Sequence, residues 1–540
     1  MTDVDPDPRS MGILRSGLTV AADAIGITVI RAAYSTTIKG GADVSGGLFD
    51  TRGRLVALSD ASMIGHLAPL RCAVRSILAD FPPEVIEEGD VFIMNDPYRG
   101  GVHANDMQVF ATVFIDGQLE YLAGSMVHVA DVGGTAPGGL SGTVTDLFQE
   151  GLTLPPVRLF RRGEPVADTF NILAANTRTP EITVGDVRAL TAGSIAGGRE
   201  LQALVARLGP DGPAVLRSGI DALLAYTEER TRIAIRQLGD GSASGEAVID
   251  DDGVRLDLPL TVRVKLTIDD STMVIDFTGT DDQAVGPISA PEGPAISAAV
   301  YGARVFLDDP DIPVNEGMFA PIEIIRPEGS LVAPRRPAGA NSRGITMLAM
   351  IDAMVDAMAR LHPSRAIAGC DLNHVMTLST KDALGRTKSF HDRDYGGAGA
   401  RQGSRGVDAH GYAVFAGRSN VVPMEIIEEE HAVLFERLAL RRGSGGRGRW
   451  EGGRGVEKRV QVLDDYNLTV RTDKFTFPPR GVQGGGDGLP GAWIINMGTD
   501  GERRLRSKET NLPLKAGDRI TMLTSGGGGF GDPSAKEESA

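Results

Sequence analysis

The chain has 540 residues, with 71 acidic against 55 basic side chains. The resulting net charge of −16 opposes nucleic-acid binding, and no basic arm or aromatic–basic platform offsets it. Length favours two or more cores, and two distant cysteines, Cys72 and Cys370, define no disulfide framework. No run reaches the roughly 20 apolar residues of a membrane helix, and the first residues carry acids rather than a basic signal-peptide start. A cytoplasmic protein is the simplest expectation.

In chain order, Met11 to Tyr34 has helical spacing of apolar residues. Glycines 40, 41, 46 and 47 then flank Asp43, as in backbone held near something. Gly65-His66-Leu67 precedes a second helix, Leu70 to Leu78, in which Cys72 reads as packed rather than reactive. Val91 to Met94 is a short strand ending in the turn Asn95-Asp96-Pro97. Met107 to Ile115 and Leu119 to His128 form a hairpin about Asp116-Gly117. A loop at 137–142 follows, and Glu150 sits before an apolar strand. Val184 to Leu208 and Pro213 to Leu238 read as a helical hairpin without visible chemistry. Gly245 to Phe277 reads as a β-hairpin turning at Asp269-Asp270, and Ala295 to Phe306 as a helix. Ile345 to Leu361 is an amphipathic helix, and its stripe Met347, Met350, Met354, Met358 is a core pattern rather than a cofactor box.

Beyond about residue 385 glycine and arginine rise sharply, with strands expected at Val460–Val470, Ala492–Met497 and Arg519–Leu523. Residues 443–448 satisfy G-x-G-x-x-G but open no helix in a βαβ unit, and no P-loop motif occurs. These glycines let strands turn tightly or approach a neighbouring chain. Arg441, Arg447, Arg449 and Arg454 form either an anion site or, by default, a solvated basic loop. The expected fold is mixed α+β. A metal-site domain with a helical hairpin spans 9–240, a central α+β domain 241–384, and a Gly-rich β-dominated domain 385–533. Residues 1–8 and 534–540 are expected to be flexible tails.

Chemistry concentrates at 94–106 and 125–134. On a regular strand His103 and Asp106 point to opposite faces; they converge only if the chain bends, which Gly100, Gly101 and Asn105 permit. His128 returns at the far end of the hairpin, giving two imidazoles and one or two carboxylates on a loop-borne site. Such donors suit zinc, manganese or iron(II), and the lack of cysteine argues against a structural zinc knot. The competing reading has His103 capping a turn and Asp106 and Asp131 making Asx turns. Glu150 is a general acid/base if it is buried near a metal, and otherwise a strand-end carboxylate. His66, taken by itself, reads as a capping or core histidine.

Asn95-Asp96-Pro97-Tyr98, Gly100-Gly101-Val102-His103, Asp106 and His128-x-x-Asp131-x-Gly133-Gly134 together resemble the hydantoinase B/oxoprolinase family. That family also includes large subunits of acetone and acetophenone carboxylases. Gln149-Glu150-Gly151-Leu152, Asp276-Phe277-Thr278-Gly279-Thr280, Asn315-Glu316-Gly317 and residues 525–533 extend the resemblance over nearly the whole chain. It implies a divalent ion held by His103, Asp106, His128 and Asp43, with His66 lining the substrate pocket. Asp131 would orient an imidazole or accept a proton. One departure is Val129, where many members carry a histidine that would be a proton-transfer or outer-shell group. The implied activity is ATP-dependent opening of a hydantoin, 5-oxoproline or other lactam. A hydantoinase A-type partner, actin-like and using ATP and Mg, would first phosphorylate the amide oxygen. Ketone carboxylation with a similar partner is the alternative, and a scaffold without chemistry a further one.

Overall fold

The computed structural model describes residues 8–416 and 420–534. Of the tails expected at 1–8 and 534–540, residues 1–7 and 535–540 lie outside it, while Pro8 opens the first helix. The N-terminal part is organised on a seven-stranded antiparallel sheet. Its strands are β1 (Val44–Asp50), β2 (Leu55–Leu58), β3 (Val91–Met94), β4 (Asp106–Ile115), β5 (Gln118–His128), β6 (Val157–Arg161) and β7 (Glu164–Pro165), in the order β2-β1-β5-β4-β3-β6-β7. The β4–β5 hairpin turns at Asp116 and Gly117, both at positive φ (51° and 78°), as a two-residue primed turn requires.

Every residue of β1 and β3 is buried, because both faces of the sheet are covered. Helices Pro8–Ala32 and Pro180–Arg207 cover one face, and helix Leu67–Asp80 packs on Phe49, Phe92 and Phe110 of the other. Against the expectation of no such run, Arg9–Ala32 is long and apolar enough to cross a membrane, with mean hydropathy 1.6; its Leu18, Ile25 and Val29 are buried in this core. The expected helical hairpin divides its loyalties. Pro180–Arg207 lies on Pro8–Ala32 because Gly193 and Gly197 leave room for Val29 and Ile25: a Cβ at Gly197 would sit 2.3 Å from Ile25 Cγ1. Helix Gly212–Arg236 instead receives the 315–318 turn, where Asn315 Nδ2 donates to Thr227 Oγ1 at 3.0 Å.

Strands β8 (Gly241–Ile249), β9 (Leu260–Asp269), β10 (Thr272–Asp276) and β11 (Ile322–Ile325) form a second sheet, β11-β10-β9-β8, with β10 and β11 parallel. Helices Glu292–Arg304 and Gly344–Leu361 pack on it, and the four methionines of the stripe are fully buried there.

The remaining strands are β12 (Asn373–Lys381), β13 (Thr387–Tyr395), β14 (Val433–Leu440), β15 (Val456–Val462), β16 (Tyr466–Arg471), β17 (Ala492–Ile495), β18 (Arg503–Arg504), β19 (Lys508–Leu514) and β20 (Arg519–Leu523). They make two sheets, β13-β12-β16-β19 and β14-β15-β20-β17-β18. The single strand expected over 460–470 is broken at 463–465, so its halves join different sheets. Between them the glycine segments pack backbone on backbone within this chain. Gly527, Gly528 and Gly529 donate to Gly453, Gly369 and Gly486, and accept from Gly446, Ala400 and Val482, respectively. Successive peptides thus bond to different neighbours at distances that exclude side chains, as in collagen. A Cβ at Gly527 would lie 1.9 Å from Ala398 O, whereas one at Gly486 would meet nothing nearer than 3.5 Å. Gly527→Ala is therefore expected to cost about 3 kcal/mol or more, and Gly486→Ala no more than about 1 kcal/mol. Thermal melts of the two variants compare these costs.

Candidate metal centre

Three adjacent strands align the central groups. Asp106 opens β4 directly opposite His128, the last residue of β5. Val44 of β1 pairs with Val127, so Asp43, one residue earlier, arrives beside His128 from the other side. Ala42 makes this possible by ending helix Thr36–Gly41 at a left-handed φ of 49°. His103 is brought round by the bend the glycines permit: Gly100 has φ 106°, and Asp106 N–H bonds back to His103 O at 2.9 Å.

The side chains of His103, Asp106 and His128 offer ligand atoms all within 4.8 Å of one another, and all three residues are buried. His128 Nδ1 lies 3.2 Å from Asp106 Oδ1, and His103 Nε2 3.6 Å from Asp106 Oδ2. Asp43 lines the same cavity outside this triplet. One of its oxygens takes Arg393 Nη1 at 2.9 Å, and Oδ1 is buried with no partner among the described residues. A buried carboxylate oxygen left unmatched is costly, so the donor set fits a hard or borderline divalent cation with Asp43 as a further oxygen donor. Burial, then the charge of Arg343, holds His103 well below the usual histidine range; burial likewise lowers His66. Neutral imidazoles are what a cation needs. Burial alone would raise Asp43, but the charge and hydrogen bond of Arg393 hold it below the ordinary carboxylate value. His103 Nδ1 accepts from Asn105 N–H at 3.1 Å, which directs Nε2 towards Asp106.

His66 also lines this cavity, with Nδ1 3.0 Å from Ser45 Oγ. Val129 does not: its side chain is fully buried in the apolar core, on the strand face opposite His128. Asp131 is likewise outside the lining. It accepts from Gly133, Gly138 and Arg178 backbone N–H groups at 2.8–2.9 Å and from Arg178 Nη1 at 2.9 Å, which makes it the knot of the 131–138 loop. Glu150 Oε1 receives the N–H groups of Ala340 (2.6 Å) and Asn341 (2.8 Å), so it holds the loop that carries Arg343. Three of the four arginines at 441–454 are engaged separately. Arg441 bonds backbone carbonyls of Pro490 and Thr524, Arg454 pairs with Asp408, and Arg449 lies over the Trp450 ring.

Sequence reading missed four cavity residues: Arg343, His391, Arg393 and Arg471. Arg343 Nη2 reaches Asp106 Oδ2 at 3.3 Å, and Arg471 donates to Asn341 O. The available signal was His391-Asp392-Arg393-Asp394, four consecutive polar residues within a strand. Such a run alternates faces: His391 and Arg393 face this cavity, while Asp392 and Asp394 hold the buried Lys458.

Fold and site thus define a mixed α+β protein with a buried His–Asp–His cluster ringed by arginines. The hydantoinase B/oxoprolinase family model matches residues 7–533, and the chain belongs to that family. It is 28% identical over 538 residues to the β subunit of a caprolactamase from Pseudomonas jessenii, covering 98% of this chain and 91% of the relative. The crystal structure of the ATP-dependent caprolactamase from the same organism superposes with a TM-score of 0.88 at 26% identity, over 98% of this chain and 92% of that one. A nucleotide-free acetone carboxylase structure shares the fold, with a TM-score of 0.84 at 18% identity over 98% and 76% of the chains.

Burial pushes the Glu150 carboxyl up to about 8, against the opposing pull of its two backbone donors. Its proton favours the folded state fully below about 4.5, and that contribution is lost as pH rises through about 8. Glu150→Gln keeps an acceptor for residues 340 and 341 but cannot ionise. The melting temperature of this variant relative to the native protein is expected to rise across that window; a pH-independent difference would show a carboxylate charged throughout.

Proposed function

We propose that this chain is the metal-dependent ring-opening subunit of a heteromeric, ATP-dependent cyclic-amide hydrolase. Its partner, a hydantoinase A-type ATPase, would phosphorylate the carbonyl oxygen of a hydantoin, 5-oxoproline or other lactam. The observation that carries this reading is the buried triplet His103, Asp106 and His128, with Asp43 beside it, in a chain so similar to a caprolactamase. A divalent ion (zinc, manganese or iron(II)) held there would supply Lewis-acid chemistry and a more acidic water.

The chain's own residues add what an activated amide needs. An amide carbonyl is a poor electrophile; a phosphate ester on its oxygen makes attack of water at the carbon easier, the ring C–N bond then breaks with a proton passed to nitrogen, and the ester adds negative charge for the site to hold. Arg343, Arg393 and Arg471 all face the cavity, and guanidinium groups suit phosphate oxygens. Helix Gly344–Leu361 begins at the same wall, adding the positive end of its dipole. His66 lines the cavity with Nδ1 tied to Ser45 and its basicity lowered by burial, and is the chain's candidate to pass a proton there. Asp131 and Glu150 act at one remove, by fixing the loops around the site. Exclusion of bulk water by the buried walls strengthens each of these interactions.

The test is co-expression with the ATPase partner and ATP-dependent turnover of a lactam panel, with and without bicarbonate. Hydrolysis needs no bicarbonate; a strict requirement for it would favour ketone carboxylation, the reaction of the acetone carboxylase that shares the fold. His103→Ala is expected to lose bound metal and to lower turnover on the order of 10²-fold or more, with an unchanged circular dichroism spectrum. Native turnover by metal-stripped mutant protein would defeat the reading.

A further inference from the structure

The cavity containing the metal-site cluster measures about 60 Å³. A water needs roughly 10–15 Å³ on this measure, so there is room for an ion and a few waters. Small-molecule sites run to roughly 300–1,000 Å³, and a lactam ring has no seat here. A second cavity of about 380 Å³ lies beside it, and one residue lines both: His391. Its imidazole stacks on that of His128, with centroids 5.4 Å apart and planes at 23°, and Nδ1 sits 3.3 Å from Thr377 Oγ1.

Strand β13 connects the two spaces. It is the edge strand of its sheet, and its alternate residues share one face. Thr387 and Ser389 line the larger cavity, His391 borders both, and Arg393 lines the metal-site cavity and pairs with Asp43. One row of side chains therefore runs from the roomy chamber to the metal donors. The chamber's walls are mixed: hydroxyls of Thr36, Thr37 and Ser389 oppose the apolar Phe390, Val422 and Ile427. Its polar edge carries Glu429, Glu430 and Lys388: Glu430 Oε2 takes the Thr36 hydroxyl at 2.6 Å, and the Lys388 ammonium lies 3.5 Å from the Glu430 backbone carbonyl. Such a lining suits a small ring with a hydrocarbon body and a hydrogen-bonding amide edge.

We infer that this chamber seats the substrate ring, and that His391 is the partition past which the amide carbon is presented to the metal centre. The identity of the ring as a lactam rests on the function proposed above; the position of the seat rests on the two cavities and their shared wall. His391 acts as a positioning residue, fixing the His128 ring and limiting how far the ring enters.

Calorimetric titration of five- and seven-membered lactams into the full-length protein tests the seat without needing turnover. Ser389→Trp and Thr37→Phe each fill the chamber from its lining, and either one, once shown to be folded, is expected to weaken binding at least ten-fold. His103→Ala, which removes a metal ligand, should leave that binding within two-fold. The reverse pattern, binding lost in His103→Ala and native in the filled variants, would place the ring in the small cavity and overturn the inference, as would no lactam binding by the native protein. Binding without ATP-dependent turnover would defeat the proposed function alone. In the assembled enzyme, His391→Ala should raise the ratio of kcat/KM for seven- over five-membered rings at least ten-fold at unchanged metal content. An unchanged ratio would overturn the role given to His391.

Discussion

The site depends on one buried carboxylate, Asp106, and on how its charge is matched. Its oxygens face His128, His103 and Arg343, within 3.2 to 3.6 Å, at a position almost closed to solvent. Removing a carboxylate from water costs several kcal/mol unless partners compensate. Here the partners come from one adjacent and two remote places in the sequence: the turn before β4, then the end of β5 and the loop before helix Gly344–Leu361. Asp106 therefore couples the N-terminal sheet to the middle of the chain, and Asp43 with Arg393 repeats the device towards β13.

This matching has a consequence for binding. The arginines that compensate Asp43 and Asp106 are competitors of any cation that those carboxylates would hold. A cation between the carboxylates and imidazoles weakens the hold on Arg343 and Arg393, and the guanidiniums then face the cavity with donors to spare. Cation and an anionic ligand would in this way favour one another's binding, by the ordinary reciprocity of linked equilibria. A site built only of neutral donors could not couple the two in that manner.

Much of this was legible in the sequence, and for a local reason. The hairpin, its two-residue turn and the glycine-permitted bend are set by short-range backbone chemistry, so they placed His103, Asp106 and His128 together correctly. The methionine stripe read as core because its period is that of a helix. Asp131 and Glu150 show the limit of the same method. Asp131's oxygens are taken by backbone N–H groups two and seven residues further on, and Glu150's by those of Ala340 and Asn341, far along the chain, so one is bound by its local loop and the other by long-range packing. Arg343, His391, Arg393 and Arg471 escaped notice because sheet pairing and loop packing over hundreds of residues put them there, and no local spacing encodes that. The polar run in β13 was the one trace: a strand that buries charge on both faces has something specific on each side of it.

The glycine-rich third of the chain enters the chemistry through that strand. β13 ends at Tyr395, and the next residues, Gly396 and Gly397, belong to the glycine-packed segments. Gly396 lies so close to Asp371 that a Cβ would sit 1.9 Å from its carboxylate, and Gly397 N–H bonds Ser525 O at 2.9 Å. Asp371 in turn accepts from Ser525 N–H and contacts His374 Nε2 at the start of β12, the strand paired with β13. A backbone held by such contacts on all sides has little freedom to slide. Because the register of β13 decides which residues face the cavity, a one-residue slip would replace His391 and Arg393 by Asp392 and Asp394. That exchange would put two further carboxylates where the imidazole and guanidinium now stand, and strip Lys458 of its partners on the other face. The dense glycine packing is thus what makes an edge strand rigid enough to hold His391 and Arg393 at the cavity.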